Sequence, residues 1–290
     1  MSLKIAAVIP TLNEGETLAA ALEALLGGSE RPDEILVVDG GSRDGTREVA
    51  RRYPVTVLDN PKVHAAAARN VGLHHSQADV LAFTDADCRV APTWVARLRA
   101  RFAADTALDG LGGRLIPRTG ANEIEAFSAK VFIHEVMCFS GSGHPVTRRQ
   151  LRDGLITANC AYRRAALLRV GGFRDAFSNY GEDLDLMWRL LDSSRLAYDP
   201  ELVVTHQFPN TRRRLIRKYI QYGIASSLLT RHHSRSPQID WHLYRKLLAN
   251  VRGAFWPGSS AHPHRLYVLQ LGAHLTGKWL GSVRYRAINL

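Results

Sequence analysis

Two carboxylates stand one residue apart at the end of an apolar run. The segment VLAF, residues 80–83, leads through Thr84 into Asp85 and Asp87. Like charges at this range repel, so the pair is a solvated turn, a pair of acid–base groups or part of a metal site. Carboxylates suit Mg²⁺ or Mn²⁺, which proteins often bind together with substrate phosphates and water. A DxD triplet is common by chance, but its place at the end of a buried strand favours the metal site.

A second polar segment, DGGSRDGT at residues 39–46, follows another apolar run. Its glycines permit positive φ, and the helix that follows offers free N–H groups, so the loop suits an anion or a nucleotide. A tight strand–helix turn with Asp44 or Thr46 as N-cap explains the segment equally well. It is neither the GxGxxG dinucleotide fingerprint nor a P-loop.

Further candidates lie in the second half. Glu182 and Asp183 begin a predicted helix, where acids often serve only as partners of the helix dipole. Asp185 projects about 200° away from Asp183 on that helix, so we expect only one of the two to face a cleft. His206 follows the strand-like segment LVVT; a lone histidine is more often structural than a ligand.

Composition indicates a soluble globular protein. The chain has 290 residues, of which 46% are hydrophobic and 22% charged. Its three cysteines, Cys88, Cys138 and Cys160, lack CxxC spacing, which argues against a disulfide framework and suits a reducing cytosol. The N-terminus is too short for a signal peptide, and no window approaches 18 apolar residues, so we predict a cytoplasmic protein without a transmembrane helix.

The positive charge is concentrated at one end of the chain. The last 85 residues hold 14 of the 38 Lys and Arg residues but only one of the 27 acids, Asp240. This segment therefore carries +13, more than the +11 of the whole chain. Such asymmetry indicates an anionic partner: lipid head groups, nucleic acid or a phosphorylated substrate.

Apolar runs and helical patterns alternate along the first 120 residues. Strands are predicted at Lys4–Ile9, Glu34–Val38, Val55–Leu58 and Val80–Thr84. Helices are predicted at Thr17–Leu26, Thr46–Arg52, 64–76 and Pro92–Ala104. Apolar strands separated by helices imply a parallel sheet with helices on both faces. The polar loops after the first, second and fourth strands then meet at the carboxyl edge, where such sheets bind ligands.

The second half of the sequence is less regular. We predict helices at Asn122–Phe139, Arg163–Val170 and 181–191. A polar, glycine-rich loop is predicted at 141–154.

Six segments in order resemble the family 2 glycosyltransferases of GT-A fold. They are VIPTLNE, EILVVDGGSRDGT, AAARNVGL, VLAFTDADC, NCAYRRAAL with VGGF, and GEDLDLMWRL. The resemblance runs from about residue 5 to 206 and implies a Rossmann-like, mostly parallel α/β sheet. It makes residues 1–210 the catalytic domain, with a nucleotide-sugar half at 1–118 and an acceptor half at 119–210. Residues 211–290 form a helical basic extension.

The resemblance also implies roles for matching positions. Nucleotide-sugar binding falls to residues of the first loops and the ARN segment: Pro10, Thr11, Asn13, Glu14, Asp39, Gly41, Ser42, Arg69, Asp85 and Ala86. Asp87 is the more direct ligand of Mn²⁺ or Mg²⁺, and His206 completes the metal shell. The pair Glu182 and Asp183 is assigned to catalysis, with Asp183 as the base.

The chemistry implied is inverting transfer of a sugar from a nucleoside diphosphate, by default UDP, to a hydroxyl acceptor. The QxxRW motif of processive members is absent, so we expect transfer of one sugar or a few. Two alternatives stay open: a catalytically silent nucleotide-sugar-binding protein, and a nucleic-acid-binding protein that uses the basic tail. No nucleic-acid-binding module is visible, which disfavours the second.

The basic tail has two equal interpretations. Residues 211–232 interleave arginines with apolar side chains, and anionic lipid attracts such segments at roughly 1 kcal/mol per basic residue near the surface. One hypothesis is therefore a peripheral enzyme on the inner face of the cytoplasmic membrane, acting on a lipid-linked or envelope acceptor. The other is a helical subdomain that packs on the core with its charge solvated.

Overall fold

The computed structural model describes residues 3–149, 153–178, 180–234, 241–255 and 261–290. These form two compact units: Met1–Arg118 with Phe132–Gln207, and Thr119–Val131 with Phe208–Leu290. The predicted extension falls in the second unit, except for residues 235–240 and 256–260, which lie outside the described ranges. Residues 119–131, which we assigned to the acceptor half, cluster with that extension, and the division at residue 210 stays a prediction.

A nine-stranded sheet forms the first unit. Its strands are β1 (Ile5–Thr11), β2 (Glu34–Asp39), β3 (Thr56–Asp59), β4 (Val80–Phe83), β5 (Cys88–Val90), β6 (Leu108–Pro117), β7 (His144–Val146), β8 (Cys160–Arg163) and β9 (Arg195–His206). The order is β3-β2-β1-β4-β8-β6-β9-β5, with β7 paired to β9. The strands β3, β2, β1 and β4 run parallel, whereas β8 is antiparallel to both neighbours. The predicted mixed α/β sheet is confirmed.

The α-helices follow the predicted positions in the first half. They are α1 (Leu18–Leu26), α2 (Thr46–Ala50), α3 (Ala65–His75), α4 (Trp94–Ala104), α5 (Glu123–Lys130), α6 (Arg164–Arg169), α7 (Glu182–Leu190), α8 (Arg212–His233), α9 (Trp241–Phe255) and α10 (Ala261–Tyr285). The helix predicted at Asn122–Phe139 is shorter: α5 passes into a π-helix at Val131–Val136. A short 3₁₀ helix spans Asp175–Phe177.

Alternation along β1 produces a core on each face of the sheet. Ala7 and Ile9 pack with α1 and α4 on one face, whereas Val8 packs with α3 and α7 on the other. Because successive side chains of a strand point to opposite faces, an unbroken apolar strand requires helices on both. This packing fixes the carboxyl ends of β1, β2 and β4 at one edge.

Strand β6 was not predicted, because its sequence LDGLGG reads as a turn. A Cβ atom on Gly113 would lie 2.1 Å from the carbonyl oxygen of Leu202, which lies where the pairing of β9 with β6 shifts register. The glycine therefore permits a close approach of β9 rather than a bend.

No helix in the described part of the chain is both long enough and apolar enough to cross a membrane.

Buried Asn159 ties β6, β9 and α4 together. Its Oδ1 accepts a hydrogen bond from Trp94 Nε1 at 2.8 Å, and its Nδ2 donates to the carbonyls of Arg114 and Leu202 at 2.9 and 2.8 Å. We expect Asn159→Ala to lower the free energy of unfolding by about 3 kcal/mol, because it leaves buried polar groups without partners. Urea denaturation followed by circular dichroism measures the change, and a loss below about 1 kcal/mol contradicts this role.

Candidate active site

The loops after β1 and β2 are joined by hydrogen bonds. The backbone N–H of Asn13 donates to Ser42 Oγ, and that of Glu14 donates to Thr46 Oγ1, each at 2.8 Å. In return, the N–H of Arg43 donates to Asn13 Oδ1 at 3.0 Å. Asn13 has a positive φ of 57°, a conformation that asparagine tolerates better than most residues. The two predicted nucleotide loops therefore form one continuous rim, beside the half-buried Pro10.

Asp39 holds the loops of this rim in place through hydrogen bonds. Its carboxylate accepts hydrogen bonds from the N–H groups of Gly41 and Ser42, both at 3.1 Å, and from Thr11 Oγ1 at 3.3 Å. Although burial opposes ionisation, the hydrogen bonds, above all those from Ser42, hold the pKa of Asp39 below its usual value. The side chain is fully buried, so in this conformation Asp39 positions the loop residues that would meet a nucleotide.

Glu14 marks the acidic side of the same crevice. Burial raises its pKa, a hydrogen bond from Thr17 opposes the rise, and the charges of Asp87 and Asp85 add to it. Because carboxylates from the first and fourth loops influence one another, the predicted loops do lie near each other. The crevice is a region of negative potential suited to a cation.

Arg69 of α3 connects the fourth loop to α7. Its Nη2 donates to Asp85 Oδ1 at 2.9 Å, and its Nη1 donates to Glu182 Oε1 at 2.8 Å. The Arg69 side chain is only 3% exposed, and its guanidinium lies 5.8 Å from the ring centroid of Phe173. Nucleotide binding by Arg69 stays a prediction; in this structure its guanidinium is held by two carboxylates.

Glu182 and Asp183 stand together at the start of α7. Burial raises the pKa of both, and the charge of Asp183 raises that of Glu182 further, whereas Arg69 opposes both increases. Two adjacent acids, of which Glu182 is buried and Asp183 half-buried, do not both ionise easily, and the pKa of Glu182 rises to about 7, so this pair can take up a proton near neutral pH. Asp185, by contrast, is held between Arg174 and Arg189 at 3.0 and 2.9 Å and is fully buried.

The fourth loop and the end of β9 bring metal-ligand types together. Strand pairing sets Cys88 opposite His206, and one donor atom from each of Asp85, Asp87, Cys88 and His206 lies within 4.8 Å of every other. The Nε2 of His206 is 3.9 Å from Asp87 Oδ1. Between the two acids, Ala86 is buried and contributes only backbone. Burial, reinforced by Asp87 and Asp85, raises the pKa of the Cys88 thiol well above its usual value, so the thiol stays neutral.

The sequence analysis did not identify three residues of the candidate site. Cys88 contributes its sulfur to the donor cluster. Thr157 Oγ1 lies 3.4 Å from Glu182 Oε1, and Arg47 Nη1 lies 3.3 Å from Asp39 Oδ2. Arg47 could have been inferred from its place at the start of α2, but nothing local signals Thr157, which is 25 positions from its partner.

The comparisons with known proteins agree with this geometry. Residues 6–171 match the family model of glycosyl transferase family 2. A pre-mycofactocin glycosyltransferase of Mycobacterium tuberculosis is 29% identical over 239 residues, which cover 80% of this chain and 49% of the relative. This chain therefore spans about half the length of that relative.

Two solved structures share the fold. A mannosyltransferase of Pyrobaculum calidifontis in complex with GDP-Man and Mn²⁺ is 18% identical and matches with a TM-score of 0.65, covering 96% of this chain and 86% of that one. Glucosyl-3-phosphoglycerate synthase of M. tuberculosis, in complex with Mn²⁺, uridine-diphosphate-glucose and phosphoglyceric acid, is 19% identical with a TM-score of 0.57, covering 79% of each chain. The predicted GT-A fold is confirmed.

Removing the Arg69 guanidinium should destabilise the protein in a pH-dependent way. We expect Arg69→Gln to lower the free energy of unfolding by about 3–5 kcal/mol at pH 8, because it leaves the buried Glu182 and the partly exposed Asp85 without their cation. The folded-state pKa of Glu182 already lies above its unfolded value, so stability falls as pH rises through that range. Losing Arg69 raises this pKa further and steepens the fall, so the penalty should be smaller at pH 5 than at pH 8.

Chemical denaturation at the two pH values, with chelator present, measures this difference. Arg149→Gln is the control, because Arg149 pairs with Asp192 on the surface, where the side chains are 42% and 67% exposed. Its effect should stay below about 1 kcal/mol at both pH values. A penalty for Arg69→Gln that does not change with pH contradicts the assignment.

Proposed function

The chain belongs to glycosyl transferase family 2, and from this premise we propose that it transfers one sugar, or a few, from a nucleoside-diphosphate sugar to a hydroxyl acceptor, with inversion at the anomeric carbon. UDP is the expected carrier and GDP the second candidate. We propose a lipid-linked or envelope component as the acceptor and the cytoplasm as the location.

The observation that carries the proposal is the pair of contacts made by Arg69. One side of the guanidinium binds Asp85, which belongs to the donor cluster, and the other binds Glu182, the neighbour of Asp183. The buried guanidinium of Arg69 would therefore hold the proposed metal site and the proposed base, Asp183, next to each other. Sugar transfer from a nucleoside diphosphate needs both functions in one crevice.

The residues present fit a divalent cation. Asp85, Asp87 and His206 supply two carboxylates and an imidazole, a donor set compatible with Mn²⁺ or Mg²⁺, with positions left for diphosphate oxygens. Asp87 and His206 would hold the ion, with Asp85 turned toward the nucleotide sugar. When bound, a divalent cation neutralises the negative charge that develops on the departing diphosphate.

The chain's own groups would do the rest. The joined loops around Asn13 and Ser42 would hold the nucleotide against the sheet edge. Asp183 would take the proton of the acceptor hydroxyl as that oxygen bonds to the anomeric carbon and the bond to the diphosphate breaks. Its raised pKa brings its proton affinity nearer to that needed at neutral pH. A single displacement at that carbon inverts its configuration.

The alternative is a silent nucleotide-sugar-binding protein. It would keep the donor cluster and the loop rim but would not turn over substrate. The two experiments below distinguish it from an enzyme.

Ligand binding should stabilise the protein only when nucleotide and metal are present together. We expect UDP with Mn²⁺ to raise the melting temperature more than either alone, because a ligand at 100 times its dissociation constant adds about 2.7 kcal/mol to the folded state. A thermal-shift screen of UDP, GDP, ADP and CDP, each with Mn²⁺, Mg²⁺ or chelator, measures this. If no nucleoside diphosphate stabilises the protein in the presence of metal, the proposal is wrong.

Variants of the two acids should separate catalysis from binding. We expect Asp183→Asn to lower sugar-transfer turnover by about 10²–10⁴-fold, the usual contribution of a general base, while Mn²⁺-dependent nucleotide binding persists. Asp87→Ala should abolish both. Asp192→Asn, at an exposed position, serves as the control and should leave both unchanged.

Calorimetric titration of nucleotide and an assay of released nucleoside diphosphate provide the two readouts. Turnover that survives Asp183→Asn would remove that residue from the role of base. Nucleotide binding without turnover in the unmodified chain, across donors and hydroxyl acceptors, would favour the silent binding protein.

A further inference from the structure

The second unit exposes large apolar side chains on α10. Trp279, Leu280 and Val283 are 59%, 42% and 65% exposed. Their spacing of three and four residues places them along one side of the helix. Scattered apolar residues on a surface need no explanation, but a stripe of this kind indicates an interaction site.

Helix α8 contributes a groove. A cavity of about 510 Å³ is lined by Arg213, Ile216, Arg217, Ile220 and Gln221. These residues recur at helical spacing, so isoleucines and arginines share one side of α8. A site of this composition suits an amphiphile with an anionic head group.

The stripe and the groove belong to two helices that pack closely against each other. Gly277 lies against the backbone of Ile220, and Gly281 lies against that of Ile224, so the two helices run parallel. A rotation of about 100° per residue from Gly281 places Leu280 at the side of the helix pair and Val283 on the surface of α10 that is turned away from α8. We name the exposed apolar and basic surface of this pair the α8/α10 face: Trp279, Leu280 and Val283 of α10, with Arg213 and Arg217 of α8.

The net charge of this segment distinguishes among the possible partners of the face. Asp240 is the only acid after residue 205, so the segment carries +13. A second copy of this chain would bring equal charge against it, which disfavours self-association. Nucleic acid would use the arginines but leave the apolar stripe uncovered. An anionic bilayer matches both features, because arginines bind lipid phosphates while leucine, valine and tryptophan enter the interfacial layer.

We propose that the α8/α10 face binds the surface of an anionic phospholipid bilayer. Leu280, Val283 and Trp279 enter the interfacial layer, and Arg213 and Arg217 bind phosphate groups. This binding would hold whether or not the chain transfers sugar, and it would place the protein at the membrane periphery.

Sedimentation of the full chain with phospholipid vesicles tests the proposal. The chain should bind vesicles that contain phosphatidylglycerol and not vesicles of phosphatidylcholine alone, and added salt should weaken the binding. Leu280→Glu with Val283→Glu should weaken the partition by more than about tenfold, because it puts charge where apolar side chains meet the lipid. The matched control is Leu248→Glu on α9, where Leu248 is 63% exposed, and it should bind like the unmodified chain.

A second pair of variants tests the contribution of the arginines. Arg213→Gln with Arg217→Gln should weaken binding by about 30-fold, because each basic residue near an anionic surface contributes about 1 kcal/mol. Arg245→Gln, on the exposed surface of α9, is its control and should change binding less than the pair. Circular dichroism confirms that each variant is folded.

Several results would overturn the proposal. One is failure of the unmodified chain to sediment with anionic vesicles. Another is an equal loss in Leu248→Glu and in the Leu280 and Val283 double variant. A third is retention of single-stranded DNA through the arginines alone, without vesicle binding. The last is a dimer by light scattering that the Leu280 and Val283 variant dissolves.

Discussion

A guanidinium that is 3% exposed lies between two carboxylates in the first unit, and the candidate site is arranged around it. Burying an arginine costs several kcal/mol of hydration unless charge and hydrogen bonds compensate for it. Asp85 and Glu182 supply both, at 2.9 and 2.8 Å, and the ring of Phe173 covers the guanidinium. Because breaking these ion pairs would cost free energy, they hold the end of β4 in place relative to the start of α7.

The positive charge of Arg69 also affects the acids of the site differently. Arg69 pairs directly with Glu182 and Asp85, so these carboxylates have a cation nearby even without metal. Asp183 has no ion pair among the described residues; one of its oxygens accepts the N–H of Leu184 at 2.8 Å. Burial raises its pKa, which leaves it more basic than an ordinary aspartate. An acid beside a neighbour whose charge is offset by Arg69 can stay ionised more easily, as a general base must before it takes up a proton.

The sequence predicted the parts of this site that depend on local pattern. Apolar runs such as residues 80–83 show where a strand ends, and parallel strands bring those ends to one edge. The contacts between Arg69 and Glu182 span 113 positions, and the pairing of Cys88 with His206 depends on two strands whose order in the sheet no local pattern reveals. Strand β6 was missed because its glycines serve a close backbone contact, which composition does not distinguish from a turn.

In the second unit, the glycines between α8 and α10 affect both the packing of these helices and their exposed surface. Gly223, Gly277 and Gly281 let α8 and α10 approach until the backbones touch. Contact through small residues buries little side-chain area, so large apolar residues are left to the sides of the helix pair. A helix pair that uses glycines inside and keeps Leu280 and Val283 outside has its hydrophobic surface turned away from its own core. Apolar side chains at that surface are open to a partner outside the pair, and the net charge of the segment favours an anionic one.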